Sequence, residues 1–209
     1  MNRSQRRRKK KIEQKSTKKL NTFYLKGPSG EKCITVQDAI ELGIDYHSCG
    51  DLPSAEFIYK KILELDPNHP AALHLLGLVA HEVGDNLTAV DLFNKTLLIR
   101  PDYAEAHKDL GLAFQDLGKK ERALACYKKA IELKPKFAEA YGLAVRIKKQ
   151  VSYNKTIRNM ENFFAKPDTD GEDKLFLAFG LGKAFEDLRD FDKAFGYIKE
   201  GNKIKARQS

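Results

Sequence analysis

The sequence predicts an all-α solenoid of about five helix–turn–helix hairpins, preceded by a disordered basic arm. Three observations predict it. One 34-residue pattern runs three times, in phase, through residues 36–137. The same register persists in weakened form from residue 138 and returns cleanly near the carboxyl end. The net charge of +9 sits entirely in residues 1–20, which leaves a neutral remainder that can stack.

Aligned on its glycines, the pattern reads Leu42-Gly43, Leu76-Gly77 and Leu110-Gly111. Tyr46, Ala80 and Phe114 follow three residues later, and then the turn glycines Gly50, Gly84 and Gly118. Each copy continues through Ala55, Ala89 and Ala123 to Tyr59, Phe93 and Tyr127, and closes on Pro67, Pro101 and Pro135. Glycine at the eighth position and alanine at the twentieth let two antiparallel helices approach closely. The aromatics fill the space beside them, and the proline ends the second helix. Such a unit cannot bury its apolar face alone, so neighbours must stack. These columns resemble the tetratricopeptide repeat, and the resemblance implies a right-handed α-solenoid.

Residues 1–20 hold ten of the 38 Lys/Arg and one of the 29 Asp/Glu, which leaves 28 of each sign for the rest of the chain. This arm is too charged to fold alone. Its cations, Arg3, Arg6, Arg7, Arg8, Lys9, Lys10 and Lys11 foremost, suit weak, salt-sensitive contact with nucleic acid or an anionic surface. No aromatic accompanies them, so base stacking is unsupported. The opening Met-Asn-Arg-x-x-Arg-Arg resembles a common bacterial start ahead of repeat proteins. Three cysteines, Cys33, Cys49 and Cys126, lack ligand-like spacing and suit a reducing compartment. Cys49 and Cys126 are expected to pack within repeat helices. No apolar run reaches a membrane span, and no apolar stretch of about 7–15 residues follows the basic start, so a cytoplasmic location is expected.

Residues 21–35 read as a linker with the turn run Gly27-Pro28-Ser29-Gly30, Phe23, Tyr24 and Leu25 folding back on the first repeat. Repeats then occupy 36–69, 70–103 and 104–137. Residues 138–167 form a degenerate helix pair, with helices over 138–153 and 155–165, because Val145 and Lys148 replace the glycine and aromatic columns. Residues 168–209 form a last hairpin through Leu181-Gly182, Phe185, Ala194 and Ile198. Ten helices and no strands are expected.

No motif reads as an active site, so no catalytic residue, cofactor or metal is expected. Gly180-Leu181-Gly182-Lys183 lacks the strand, the first glycine and the Ser/Thr of a phosphate loop. Asp168, Asp170 and Glu172 lack a calcium loop's spacing and suit the cap of the following helix. His74 and His81 share a helix face, but zinc needs two further ligands.

The resemblance implies binding of a protein or peptide along a concave face lined by the first helix of each repeat. Carried over, its positions are Gln37, Ile40, Ile44 and His47; Ala71, His74, Leu78 and His81; and Glu105, Lys108, Leu112 and Gln115. The carboxylate clamp found in some relatives is missing, because Ile44, Leu78 and Leu112 hold each ninth position. An asparagine ladder is missing too, because Glu41, Leu75 and Asp109 stand where it needs asparagine.

A narrower resemblance covers Leu175–Lys205. Gly182, Lys183, Ala184, Glu186, Asp187, Asp190, Asp192, Ala194, Phe195, Gly201 and Asn202 match the last repeat hairpin of bacterial repeat-containing sulfotransferases. Met160 and Pro167-Asp168 are similar as well. That family's Pro-Arg-Ser-Gly phosphosulfate loop has no counterpart before Ser209. The resemblance implies either a free-standing scaffold without catalysis or the amino-terminal part of such an enzyme, with a sulfotransferase domain downstream. The last helix, with Lys199, Glu200, Lys203, Lys205 and Arg207, is expected to serve as a polar cap.

Overall fold

The computed structural model describes residues 22–27 and 30–208. Among these, two strands, β1 (Thr22–Gly27) and β2 (Gly30–Thr35), precede ten helices. The helices are α1 (Val36–Ser48), α2 (Leu52–Leu65), α3 (Pro70–Glu82), α4 (Asn86–Ile99), α5 (Ala104–Asp116), α6 (Lys120–Leu133), α7 (Ala138–Ile147), α8 (Lys155–Phe164), α9 (Gly171–Asp187) and α10 (Phe191–Gln208). They pack largely in consecutive pairs, as in a tetratricopeptide α-solenoid. The described residues fall into two compact units, one ending at Ile99 and the other beginning at Arg100.

In the first unit, β1 and β2 correct the expectation of a strand-free linker. They pair antiparallel, Phe23 opposite Ile34 and Gly27 opposite Gly30. Thr22, Phe23, Tyr24, Cys33, Ile34 and Thr35 are residue types that favour extended backbone. Ile34 joins the buried cluster of Ala39, Ile40, Ala55, Ile58, Tyr59 and Ile62, which anchors β2 on α1 and α2. Thr35 closes a capping box with Asp38 and so starts α1 directly from the strand.

Each repeat is locked by a glycine and an aromatic sixteen residues apart. A Cβ on Gly77 would lie 2.6 Å from Phe93 Cε1; Gly43 meets Tyr59 and Gly111 meets Tyr127 in the same way. All three rings are fully buried. The turns between paired helices need the left-handed backbone, with φ of 79°, 85° and 71° at Gly50, Gly84 and Gly118.

In the second unit the last hairpin reuses both devices with different residues. Gly182 faces Ile198, again sixteen residues on, at 2.6 Å from a would-be Cβ to Cγ1. Its turn places Arg189 at φ 61° where the other repeats have glycine. That conformation costs a side-chain-bearing residue about 1–2 kcal/mol. Arg189→Gly should therefore raise stability by roughly 0.5–1 kcal/mol once glycine's greater chain entropy is subtracted. A urea midpoint that stays put or falls would contradict this.

The fourth pair differs from expectation. Helix α7 stops at Ile147, well before residue 153, because Lys148 turns to extended backbone at φ −133°, ψ 127°. It packs chiefly on α9 and hardly on α8, while α8 rests on α9. The cause is a second glycine crossing. A Cβ on Gly180 would lie 3.2 Å from Gly142 Cα, so the α7 and α9 backbones nearly touch. Around that crossing Tyr141, Val145, Ile157, Met160, Phe163, Leu177, Leu181 and Phe185 form one core. Asp170 caps α9 by accepting from the Asp173 amide at 2.7 Å.

Candidate binding faces

The first-helix positions fall into three groups. Ile40 and His74 are buried, which removes both from any accessible face. Ile40 belongs to the first core, and the His74 ring tilts against Phe93 at 5.6 Å between centroids. The core thus claims the fifth position in the first two repeats, whereas the third places the half-buried Lys108 there. Gln37 lies exposed on α1 and donates to Glu41 at 2.9 Å. Ile44 is 41% exposed, and Ala71, Leu78, His81 and Leu112 are half-buried.

In the first unit, His47 on α1 meets Glu82 Oε1 on α3 at 2.9 Å, joining neighbouring first helices. Tyr59 lies beneath, its phenol pushed up to about 12 by burial and then by the Glu82 charge. The exposed face of this unit is aliphatic at Ile44 and Leu78, with imidazoles at His47 and His81.

The corresponding face of the second unit is charged but internally neutralised. Lys108 contacts Asp109 at 2.9 Å and Glu139 at 3.2 Å. Burial opposes the ammonium charge, yet Asp109 and then Glu139 outweigh it and hold the amine above its ordinary value. Glu105 pairs with Lys134 at 2.8 Å. Gln115 accepts from the Tyr127 hydroxyl at 3.2 Å, so the locking aromatic also fixes a face residue. Lys108 is therefore engaged in a network and not a lone cation awaiting an anion. Glu139 escaped the sequence reading, although it holds the second position of the next 34-residue period and could have been found there.

The cysteines are not equivalent. Cys126 is half-buried, and burial pushes its thiol up to about 11, which keeps it unreactive at neutral pH. Cys49 corrects the expectation of a packed residue: it caps α1, and that end position leaves it exposed. The arm cations Arg3 to Lys11 lie outside the described residues. Among the described residues no group of three or more His, Cys, Asp or Glu could hold a metal ion, and no helix is long and apolar enough to cross a membrane.

The residues behind the narrower C-terminal resemblance have packing roles here. Lys183 and Asp187 pair within α9, and Asp187 also accepts from the Gln150 amide at 3.0 Å. Asp190 caps α10 through the Lys193 amide at 3.2 Å. Gly201 lets α10 approach Ala178 and Phe179, 3.2 and 3.3 Å from a would-be Cβ. Exposed Phe191 and Phe195, at 64% and 68%, show that α10 is not the wholly polar cap expected.

Residues 104–137 and 58–91 each match the tetratricopeptide repeat family, the second stretch beginning within α2 and running into α4. Among solved structures, a crystal structure of MamA is 26% identical, covers 79% of this chain and 95% of its own, and superposes with a TM-score of 0.62. PilF of Pseudomonas aeruginosa is similar in fold, with a TM-score of 0.66 at 17% identity, covering 81% of this chain and 76% of its own. The first repeat domain of Spaghetti (RPAP3), bound to the HSP90 peptide SRMEEVD, is 24% identical with a TM-score of 0.52, covering 54% of this chain and 89% of its own. No curated protein matches the sequence. Two stretches of the chain match the tetratricopeptide repeat, on an α-solenoid fold.

Proposed function

We propose that this chain binds polypeptide through accessible apolar first-helix positions within each of its units and performs no catalysis of its own. One observation carries the reading. Ile44, Leu78 and Leu112 recur at the ninth position of successive repeats, and each keeps apolar surface accessible although the core claims its neighbours. Nearby charges are spent on one another, as at Lys108 with Asp109 and Glu139, so recognition rests on apolar side chains and shape. The repeat domain of Spaghetti, similar in fold and bound to an HSP90 peptide, supports the reading. A paired Leu78→Asp and Leu112→Asp variant should keep its helical spectrum and melting point. It should lose at least tenfold of its capture of polypeptide partners on an immobilised chain. Undiminished capture by a folded variant would refute the reading.

A second reading places this chain as the front part of a sulfotransferase-related enzyme, which positions an acceptor for chemistry done elsewhere. The observation favouring it is the apolar face of α10, where Phe191, Phe195 and Ile198 remain exposed and a further element would cover them. The gene beyond Ser209 tests it. A frame encoding a strand and a Pro-Arg-Ser-Gly loop supports this reading, and unrelated sequence contradicts it.

A further inference from the structure

The early end of α7 has opened a pocket that the repeat pattern does not contain. It lies in the second unit between α6, the end of α7, the segment 148–154 and the start of α8, and has a volume of about 340 Å³. Its floor is aliphatic, through Leu124, Ile131 and the buried Val145. Its rim carries Lys128, Lys148, Lys149 and Lys155, all exposed, and no acidic residue lines it. Asp187, which accepts from the amide of the lining residue Gln150, is already engaged by Lys183. The amino terminus of α8 opens on the same pocket and adds to its positive potential.

Four exposed lysines around an aliphatic cavity, with no acid among the lining residues, give it a positive potential that complements an acidic partner. We propose that this pocket docks an acidic polypeptide segment bearing one aliphatic side chain. The aliphatic group enters between Leu124, Ile131 and Val145, and flanking carboxylates meet the lysine rim. A nucleic acid fits less well, because no aromatic lines the pocket for base stacking. The site uses α6 and the segment after α7, not the ninth-position aliphatics, so it stands independently of the function proposed above.

The test uses the full chain with isotopically labelled amides and the synthetic peptide Asp-Glu-Glu-Leu-Glu-Asp. The cations of residues 1–20 also attract acidic peptides, so the readout is the position of the shifts and not binding alone. The expected result is saturable shifts at amides of residues 124–131 and 148–156. Replacing the peptide leucine with serine should weaken that binding at least threefold. Replacing all four rim lysines with glutamine should weaken it at least tenfold. Should that variant fail to fold, the leucine-to-serine comparison on the native chain still decides. The proposal is overturned by shifts confined to other residues, by equal affinity for the serine peptide, or by tighter binding of a uridine octanucleotide to these same amides.

Discussion

Replacing Phe93 with alanine should cost about 3–5 kcal/mol, a large share of the 5–15 kcal/mol typical of a folded domain. The ring is fully buried on α4, fills the space over Gly77 and supports the His74 ring. Its removal leaves a cavity that the paired helices cannot close, because the columns on either side fix their spacing. Phe93→Tyr should cost far less, since the same column already holds Tyr59 and Tyr127 in equally buried sites. Urea unfolding followed by far-ultraviolet dichroism measures both. Hydrogen exchange should place the loss in α3 and α4, as expected where stability is summed from local interfaces. An alanine variant within about 1 kcal/mol of the parent would mean that the aromatic column is not a lock.

Gly77→Leu should also be damaging, at about 2–3 kcal/mol. Even a Cβ would stand 2.6 Å from the Phe93 ring, so a whole leucine must either displace the ring or part α3 from α4. The two substitutions should not add. In the Gly77→Leu and Phe93→Ala double variant the new side chain enters the vacated space, and the combined loss should fall short of the sum by about 1–2 kcal/mol. A strictly additive cycle would place the strain of Gly77→Leu somewhere other than the ring.

These effects follow features that could be read in the chain because they are local and repeated. A glycine under an aromatic, a turn glycine and a closing proline recur every 34 residues, and each excludes most alternatives by sterics alone. The last hairpin was legible for the same reason, although Ile198 replaces the aromatic and Arg189 replaces the turn glycine. The strands were not, since each is only six residues long and lysines interrupt its apolar alternation. The Gly142–Gly180 crossing was hidden by its sequence separation: neither glycine sits in a repeat column, and nothing local reveals that they meet. The face positions were legible only to within the helix's rotation. That rotation buries Ile40 and His74 and leaves Ile44 and Leu78 accessible. The lysine-rimmed pocket depends on where α7 stops, which Lys148 decides and the period does not.

The most direct test of the scaffold reading is a photo-crosslinking scan in living cells. A benzophenone-bearing residue is placed singly at Leu78 and Leu112, and for comparison at the exposed second-helix positions Lys95 and Glu121. The account predicts polypeptide adducts from Leu78 and Leu112 at several times the yield seen from Lys95 and Glu121, in chains that retain the parental melting point. Adducts formed equally from all four positions, or only from Lys95 and Glu121, would contradict it.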